Sequence, residues 1–270
     1  MNSKVIGIAP LYLSDGKAFF LGSSNVFDYL DFIIAPGLEN DFFNILLNEL
    51  KSKNVNRMEL ELVRENSSVL KNLINFARAN EYEVTLNEKD VLLEMDLSGS
   101  WEKYLSSLTS RHRHELRRKF RRFQEAGLTN FQMIENPEKI SGFLDLFFKF
   151  FRENRDDKEV FMTFRMERFF RSLVDVMVKA QLLRLGILEL DERPVAFVIC
   201  LDDKETLYLY NNSFDPKYRN LNLGFVSKAF SVKHGINLGK KMFNFLKGDE
   251  RYKYHLGGKK VLLYSFKISL

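Results

Sequence analysis

Apolar residues recur along this chain at spacings that predict short strands and amphipathic helices in turn. Arg57–Val63 alternates apolar with charged residues, which predicts a half-buried strand. Between Asp41 and Leu50 the apolar residues lie three and four positions apart, which predicts a helix. Asp15-Gly16 separates two apolar runs and is typical of a tight hairpin turn, because both residues tolerate a positive φ. The pattern as a whole predicts a mixed α/β fold.

The same order of elements occurs twice: a hairpin, a strand, a proline break, a helix and a strand. The first copy lies within residues 6–63 and the second within residues 185–246. Residue identity between the copies is slight, so the repeat concerns architecture alone. We therefore expect two related α/β units, over residues 1–97 and 98–270.

A basic amphipathic helix, predicted over residues 100–126, opens the second unit. Between Arg111 and Arg122 it has seven Arg or Lys and one Glu, while the whole chain has a net charge of +5. Such a surface suits a nucleic acid, an anionic lipid headgroup or an acidic or phosphorylated acceptor, and a solvated helix face whose Arg residues pair with acids stays the plain alternative. The candidate partner-binding residues are Arg117, Arg118, Arg121 and Arg122.

Composition narrows the class of protein. Hydrophobic residues make up 45% of the chain and 26 residues are Phe, which excludes disorder for most of it. A single cysteine, Cys200, excludes an internal disulfide and a cysteine-rich zinc site, and no residues indicate a metal. No apolar run is long enough for a membrane span and the start does not resemble a signal peptide. We therefore expect a cytoplasmic protein.

The start of the helix in the second repeat is a candidate phosphate site. The strand before it ends at Asp215-Pro216, and residues 216–248 contain seven Lys or Arg and no Asp or Glu. A helix N-terminus exposes unpaired N–H groups that suit an anion. The matching helix of the first repeat starts with Glu39 and Asp41, which would repel a pyrophosphate. We expect a nucleotide-like cofactor on the second unit; an ordinary helix with a solvated basic face stays open.

Several segments together resemble a known family. They are Gly7–Tyr12, Asp28–Asp31, Gly99–Tyr104, Arg193–Ala196, Tyr208–Gly224 and Phe245–Lys253. In this order they resemble the acetyltransferase-like domain of cellulose- and exopolysaccharide-biosynthesis proteins. That domain is a branch of the GNAT superfamily and is related to Fem-type aminoacyltransferases. The resemblance spans nearly the whole chain.

The resemblance implies an α/β (α+β) fold of tandem GNAT-like mixed-sheet units, the first one truncated at its N-terminus. It also implies acetyl-CoA or another acyl-CoA as donor, with its pyrophosphate on the loop Arg219-x-x-Asn222-x-Gly224. The general GNAT loop has a glycine where this chain has Asn222, and the resembled branch usually has Ser-Pro-Gly where this chain has Asn222-Leu223-Gly224. The residues that the resemblance places at the donor are Asn211, Ser213, Arg219, Asn222, Leu223, Gly224 and Phe225.

Direct acyl transfer needs a base for the amine and an acid for the leaving thiolate. Tyr252 is the candidate acid, and Asp215, Asp249 and Glu250 are candidate bases. Each carboxylate also has a structural interpretation, as a turn former or a helix cap. Asn244 stands where the family usually has an acid.

The expected activity is acyl-CoA-dependent N-acylation of an amine, such as an amino sugar or an envelope polysaccharide precursor. One alternative is Fem-type aminoacyl transfer from charged tRNA, with RNA as the partner. Another is a non-catalytic binding or scaffold module. A homodimer stays open, because a second copy of the chain could cover the apolar patch that missing N-terminal elements would leave.

Overall fold

The chain folds into two compact units. A computed structural model describes residues 4–22, 26–28, 30–97, 99–154 and 160–270. The first unit comprises residues 1–92 and 260–270, and the second comprises residues 93–259. We expected a single cut near residue 97, whereas the structure returns the end of the chain to the first unit. The reason is that the last strand pairs with a strand of that unit.

Strands and helices alternate along the chain. Those of its first part are β1 (Gly7–Ile8), β2 (Leu11–Ser14), β3 (Lys17–Phe20), β4 (Ile33–Ile34), α1 (Glu39–Ser52), β5 (Arg57–Arg64), α2 (Ile74–Ala79) and β6 (Val84–Asp96). Those that follow are α3 (Trp101–Ser107), α4 (Ser110–Gln124), β7 (Thr129–Ile134), α5 (Pro137–Glu153), α6 (Phe164–Lys179), β8 (Leu183–Leu190), β9 (Arg193–Asp202), β10 (Thr206–Phe214), α7 (Leu223–Asn237), β11 (Met242–Lys247), α8 (Arg251–His255) and β12 (Lys259–Ser269). The mixed α/β class predicted from the sequence is confirmed.

The first unit is built on the strand order β2-β3-β5-β12. The predicted hairpin between β2 and β3 is confirmed: Ser14 pairs with Lys17, and Asp15 and Gly16 have φ of 51° and 71°. Strands β3 and β5 are parallel and α1 connects them, so α1 packs its apolar face against the sheet. The buried residues of that face are Phe42, Phe43, Leu47 and Leu50.

In the second unit the strand order is β6-β11-β10-β9-β8-β7. Strands β7 to β10 pair antiparallel, and β10 and β11 pair parallel through α7. Helix α7 has buried residues on nearly every side, as a central helix must. Helices α5 and α6 bring a phenylalanine-rich core to strands β8 and β9. Among the described helices, none is long and apolar enough to cross a bilayer.

The basic segment forms two helices, so the prediction of one helix over residues 100–126 is wrong. Leu108 is extended, with φ −72° and ψ 148°, and it separates α3 from α4. Side-chain oxygens of Ser100 and Thr109 each accept a backbone N–H in the first turn of α3 and α4 respectively. A threonine cap stabilises a new helix start, and the periodicity of apolar residues does not reveal such a break.

The two units repeat one supersecondary structure. In each, a hairpin strand leads through a helix to a parallel neighbour: β3-α1-β5 in the first and β10-α7-β11 in the second. The returning strands also share an unusual backbone. Leu62 lies four residues after Met58 and has φ 57°, while Leu246 lies four residues after Met242 and has φ 60°. The predicted repeat is therefore present in part. The helix and its parallel return strand recur, whereas of the strand predicted at Tyr29–Ala35 the structure has Ile33–Ile34, which pairs with β1 outside the large sheet.

Two glycines within helices allow a matched test of packing around α7. A Cβ on Gly235 would lie 2.9 Å from Cδ1 of the buried Leu97, whereas a Cβ on Gly142 of α5 would meet nothing within 4 Å. Gly142→Ala should stabilise the protein by about 0.5–1 kcal/mol through helix propensity. Gly235→Ala should instead destabilise it by about 1–2 kcal/mol through overpacking.

Urea unfolding followed by circular dichroism measures both changes. Equal stabilisation by the two alanines would contradict the tight packing of α7 against Leu97.

Candidate active site

Strands β10 and β11 are paired over only part of their length. The parallel register joins Thr206–Tyr208 to Met242–Asn244, and beyond it β10 continues to Phe214 and β11 to Lys247. Tyr210 is an extra residue in β10, because its neighbours on either side pair with consecutive residues of β9. A bulge of this kind bends the strand that carries it. The two strands therefore diverge after Tyr208 and Asn244.

Strand β11 bends close to the residue at which it separates from β10. Leu246 has a positive φ of 60°, which is strained for a branched side chain. Its N–H donates to Oδ1 of Asn244 at 2.8 Å, and Asn244 is fully buried. A side chain thus replaces the neighbouring strand as hydrogen-bond partner, which allows β11 to leave β10.

The start of α7 consists of a 3₁₀ turn followed by a left-handed residue. Asp215 accepts the N–H of Lys217 at 2.9 Å and so begins a 3₁₀ turn over residues 216–221. Asn222 follows with φ 56° and ψ 37°, the left-handed conformation that asparagine tolerates. Helix geometry leaves the first N–H groups, those of Leu223 and Gly224, without an intrahelical partner. These N–H groups are the donors that an anion would meet.

Position 224 requires glycine because a side chain there would crowd its neighbours, and not because the backbone has a positive φ. A Cβ there would lie 3.1 Å from two ring atoms of Phe214, so the start of α7 and the end of β10 approach closely. Leu223 and Phe225 are buried, so they contribute backbone to the helix start and not exposed side chains. The N–H of Phe225 is used within the turn, since it donates to the carbonyl of Asn222 at 2.9 Å.

The other predicted donor-side residues lie on β10 and on the turn before α7. Arg219 is exposed, and its Nη2 donates to the carbonyl of Asn154 at 3.4 Å, which anchors the turn. Ser213 is fully buried, and its hydroxyl has no hydrogen-bond partner among the residues the structure describes. Asn211 accepts the N–H of Asn212 at 2.8 Å, so its side chain stabilises the local strand bend.

Lys253 holds the loop that follows β11, a role that sequence reasoning missed. Its ammonium group is buried and donates to the carbonyls of Leu246, Lys247 and Gly248, with Nζ–O distances of 3.0 Å and 3.2 Å to the first and last. It also pairs with the Glu250 carboxylate at 2.9 Å. Buried charge is costly unless it is saturated in this way. The lysine fixes where α8 begins.

Tyr252 lies on the first turn of α8 and is half-buried. Burial raises the pKa of its phenol well above the usual range, and the neighbouring Glu250 carboxylate raises it further. The phenol is therefore protonated at neutral pH, and its raised pKa also makes it a weaker acid than an exposed tyrosine. The ammonium of Lys228, one turn into α7, lies 4.0 Å from the centre of the Tyr252 ring.

The three candidate bases are all engaged in local contacts. Asp215 caps the 3₁₀ turn, and Glu250 pairs with Lys253. Asp249 accepts a hydrogen bond from the hydroxyl of Tyr254. The structural interpretation is confirmed for Asp215, whereas the helix-cap interpretation is wrong for the other two: the Glu250 side chain makes no cap hydrogen bond at the start of α8, and Asp249 bonds a tyrosine side chain.

Helix α4 places some of its basic residues in ion pairs and leaves others exposed. Arg118 pairs with Glu115 at 2.9 Å, and Arg121 lies 3.7 Å from Glu125. Arg117 and Arg122 are exposed. The ammonium of Lys119, on the same helix, lies 3.9 Å from the centre of the Phe225 ring. The helix therefore packs beside the start of α7.

Comparison with known proteins identifies the fold. A family model described as an acetyltransferase (GNAT) domain matches residues 110–254, more than half of the chain. No curated protein matches the sequence. The structure of FemX is similar with a TM-score of 0.66 at 11% identity, covering 100% of this chain and 86% of FemX.

Two further structures are similar. A conserved protein of unknown function from Bacteroides thetaiotaomicron has a TM-score of 0.63 at 14% identity, covering 97% of this chain and 84% of that one. A tandem GNAT protein from the clavulanic acid biosynthesis pathway has a TM-score of 0.51 at 11% identity, covering 100% and 80%. At such identities the likeness shows the fold alone. The expected GNAT fold is confirmed, and the cellulose and exopolysaccharide branch stays a prediction.

Lys253→Met should destabilise the protein by about 3 kcal/mol, because it leaves buried carbonyl groups without their donor. Lys241→Met is the matched control: the Lys241 side chain is 72% exposed and its ammonium pairs with the exposed Glu205. The control should lose less than about 1 kcal/mol. Urea unfolding measures both, and similar losses would show that Lys253 does not hold the loop.

Proposed function

Because the chain belongs to the acetyltransferase (GNAT) domain family, we propose that it transfers an acyl group from acyl-CoA to an amine. The observation that carries this proposal is the start of α7. The N–H groups of Leu223 and Gly224 follow the left-handed Asn222 and have no intrahelical partner. They lie next to the end of β10, beyond the residues that pair with β11. A helix N-terminus suits the pyrophosphate, and a gap between strands suits an extended thiol arm.

The residues around this gap support each chemical requirement. The exposed Arg219 adds positive charge to the helix start. A backbone N–H in the stretch Asn211–Ser213, where β10 has lost its β11 partner but still pairs with β9, would polarise the thioester carbonyl; that of Asn212 would first have to leave Oδ1 of Asn211. Tyr252 keeps its proton and gives it to the thiolate when the C–S bond breaks.

The acceptor that we propose is an amino sugar or an envelope polysaccharide precursor. Support for this class comes from the family resemblance of the whole chain. Acetyl is the simplest acyl group consistent with the family description. Screening amino sugars against acetyl-CoA tests the class directly.

Aminoacyl transfer from charged tRNA is the second candidate. Helix α4 favours it, because Arg117 and Arg122 are exposed on a helix that packs beside the start of α7. The similarity in fold to FemX agrees with this candidate. RNA binding that weakens steeply with salt and is lost in Arg117→Glu/Arg122→Glu would favour it over acyl-CoA.

Calorimetry with acetyl-CoA tests the donor site. Arg219→Glu should weaken binding at least tenfold, because a carboxylate at the helix start repels the pyrophosphate. Lys204→Glu is the matched control, since this exposed lysine lies before the opposite end of β10. Its affinity should equal that of the wild type. Absence of wild-type binding up to millimolar acetyl-CoA would contradict the donor and favour a binding or scaffold module.

Tyr252→Phe should lower kcat at least tenfold, because the thiolate loses its proton donor, while the Kd for CoA stays within twofold. Tyr254→Phe is the control on the same helix, where the hydroxyl donates to the Asp249 carboxylate. Release of free thiol measures the rate. A rate for Tyr252→Phe equal to that of Tyr254→Phe would exclude the proposed acid.

A further inference from the structure

The carbonyl of Phe214, the last residue of β10, faces the edge of that strand which β11 has left. The N–H of Asp215 donates to the carbonyl of Val195 at 2.8 Å, and Phe214 lies opposite Ala196 in the register with β9. In an antiparallel ladder this pattern makes Phe214 and Ala196 a pair without hydrogen bonds to each other. The N–H and the carbonyl of Phe214 therefore point away from β9, toward the edge of β10 along which β11 pairs further back.

Asn154 hydrogen-bonds this carbonyl in place of a strand. Its Nδ2 donates to the carbonyl oxygen of Phe214 at 2.5 Å, and the residue is buried. A carbonyl oxygen can only accept, so the N–H₂ side of the amide must face it. Asn154 directly follows Glu153, the last residue of α5. The end of α5 therefore supplies a hydrogen bond that a regular sheet would take from a neighbouring strand.

The backbone of the same residue reaches the turn before α7. The carbonyl of Asn154 accepts a hydrogen bond from Nη2 of Arg219 at 3.4 Å. The last carbonyls of a helix have no intrahelical partner and lie at the negative end of its dipole, so a guanidinium group suits them. Asn154 thus contacts both the end of β10 and the turn over residues 216–221.

The contact at Phe214 also bears on the start of α7. A Cβ on Gly224 would lie 3.1 Å from the Phe214 ring, so the position of this ring and that of the first turn of α7 depend on each other. The last turn of α5 is fixed in its own right, because Arg152 pairs with Glu167 of α6 at 2.6 Å. Asn154 therefore ties the start of α7 to a helix that is itself held in place.

We propose that Asn154 is a positioning residue of the donor site, which holds the end of β10 away from β11 and holds Arg219 beside the start of α7. This inference rests on the proposed acyl transfer. The acyl-CoA then meets a site whose parts are already in place, so less of its binding free energy is spent on ordering them. Without the Asn154 amide, the Phe214 carbonyl is unpaired, and the end of β10 moves until water or backbone satisfies it.

Two variants remove the amide donor. Asn154→Leu keeps much of the side-chain volume, while Asn154→Ala leaves room for a water molecule at the Phe214 carbonyl and so keeps the fold where leucine does not. Asn136→Ala is the matched control at the other end of α5. The exposed Asn136 caps that helix by accepting the N–H of Lys139 at 2.9 Å, so its loss also removes one side-chain hydrogen bond and lowers stability.

Calorimetry measures the Kd for acetyl-CoA, and urea unfolding measures the midpoint of each variant. Thiol release from acetyl-CoA, with D-glucosamine or water as acceptor, gives KM and kcat. Both Asn154 variants should raise the Kd and the KM for acetyl-CoA about tenfold and leave kcat within about twofold, because the reacting groups are untouched. Asn136→Ala should lower the unfolding midpoint and keep the wild-type Kd.

A wild-type Kd in both Asn154 variants would overturn the role of Asn154 and leave acyl transfer standing. An equal rise of the Kd in Asn136→Ala would show that lost stability alone weakens binding, and it would overturn the inference too. Unfolding of both Asn154 variants at the assay temperature would show a purely structural role, with the same consequence. A wild-type protein that binds no acetyl-CoA would overturn both proposals.

Discussion

The early divergence of β10 from β11 is the constraint on which the second unit depends. Two paired strands would satisfy their backbone groups along their whole length, and here pairing stops after three residues. The bulge at Tyr210 and the Asn244 contact to Leu246 bend the strands, and the Lys253 ammonium binds the carbonyls that follow. Side chains thus perform the hydrogen bonding that a neighbouring strand would otherwise provide.

The two copies of the repeat share one backbone arrangement but differ in the charges at the start of their helices. Both units connect parallel strands through a helix, and both returning strands have a leucine with a positive φ. Helix α1 has Glu39 and Asp41 in its first turn, which satisfy the helix dipole, whereas the first turn of α7 has no acid. A phosphate-bearing donor is therefore expected on α7 alone, although the two units are alike in backbone.

Features that rest on local physics could be predicted from the sequence. The turn at Asp15-Gly16 and the left-handed Asn222 follow from residue types that tolerate a positive φ. The break before α4 was missed, because the apolar stripe continues across Thr109 and hides its cap. The contact of Asn154 with Phe214 spans 60 residues, and no local pattern indicates that the end of α5 meets the end of β10. Residues within a motif could be named, but a side chain that reaches it from another helix could not.

Two buried polar side chains, those of Asn244 on β11 and Lys253 on α8, are not explained by stability alone. An apolar residue in place of Lys253 or Asn244, with a regular β11, would avoid the desolvation of charged and amide groups. Each of these side chains instead holds backbone that has left regular pairing. Departures from local consistency of this kind are typical of functional sites. The proposed acyl transfer gives a reason for this cost, since it needs the gap between β10 and β11 to stay open for the thioester.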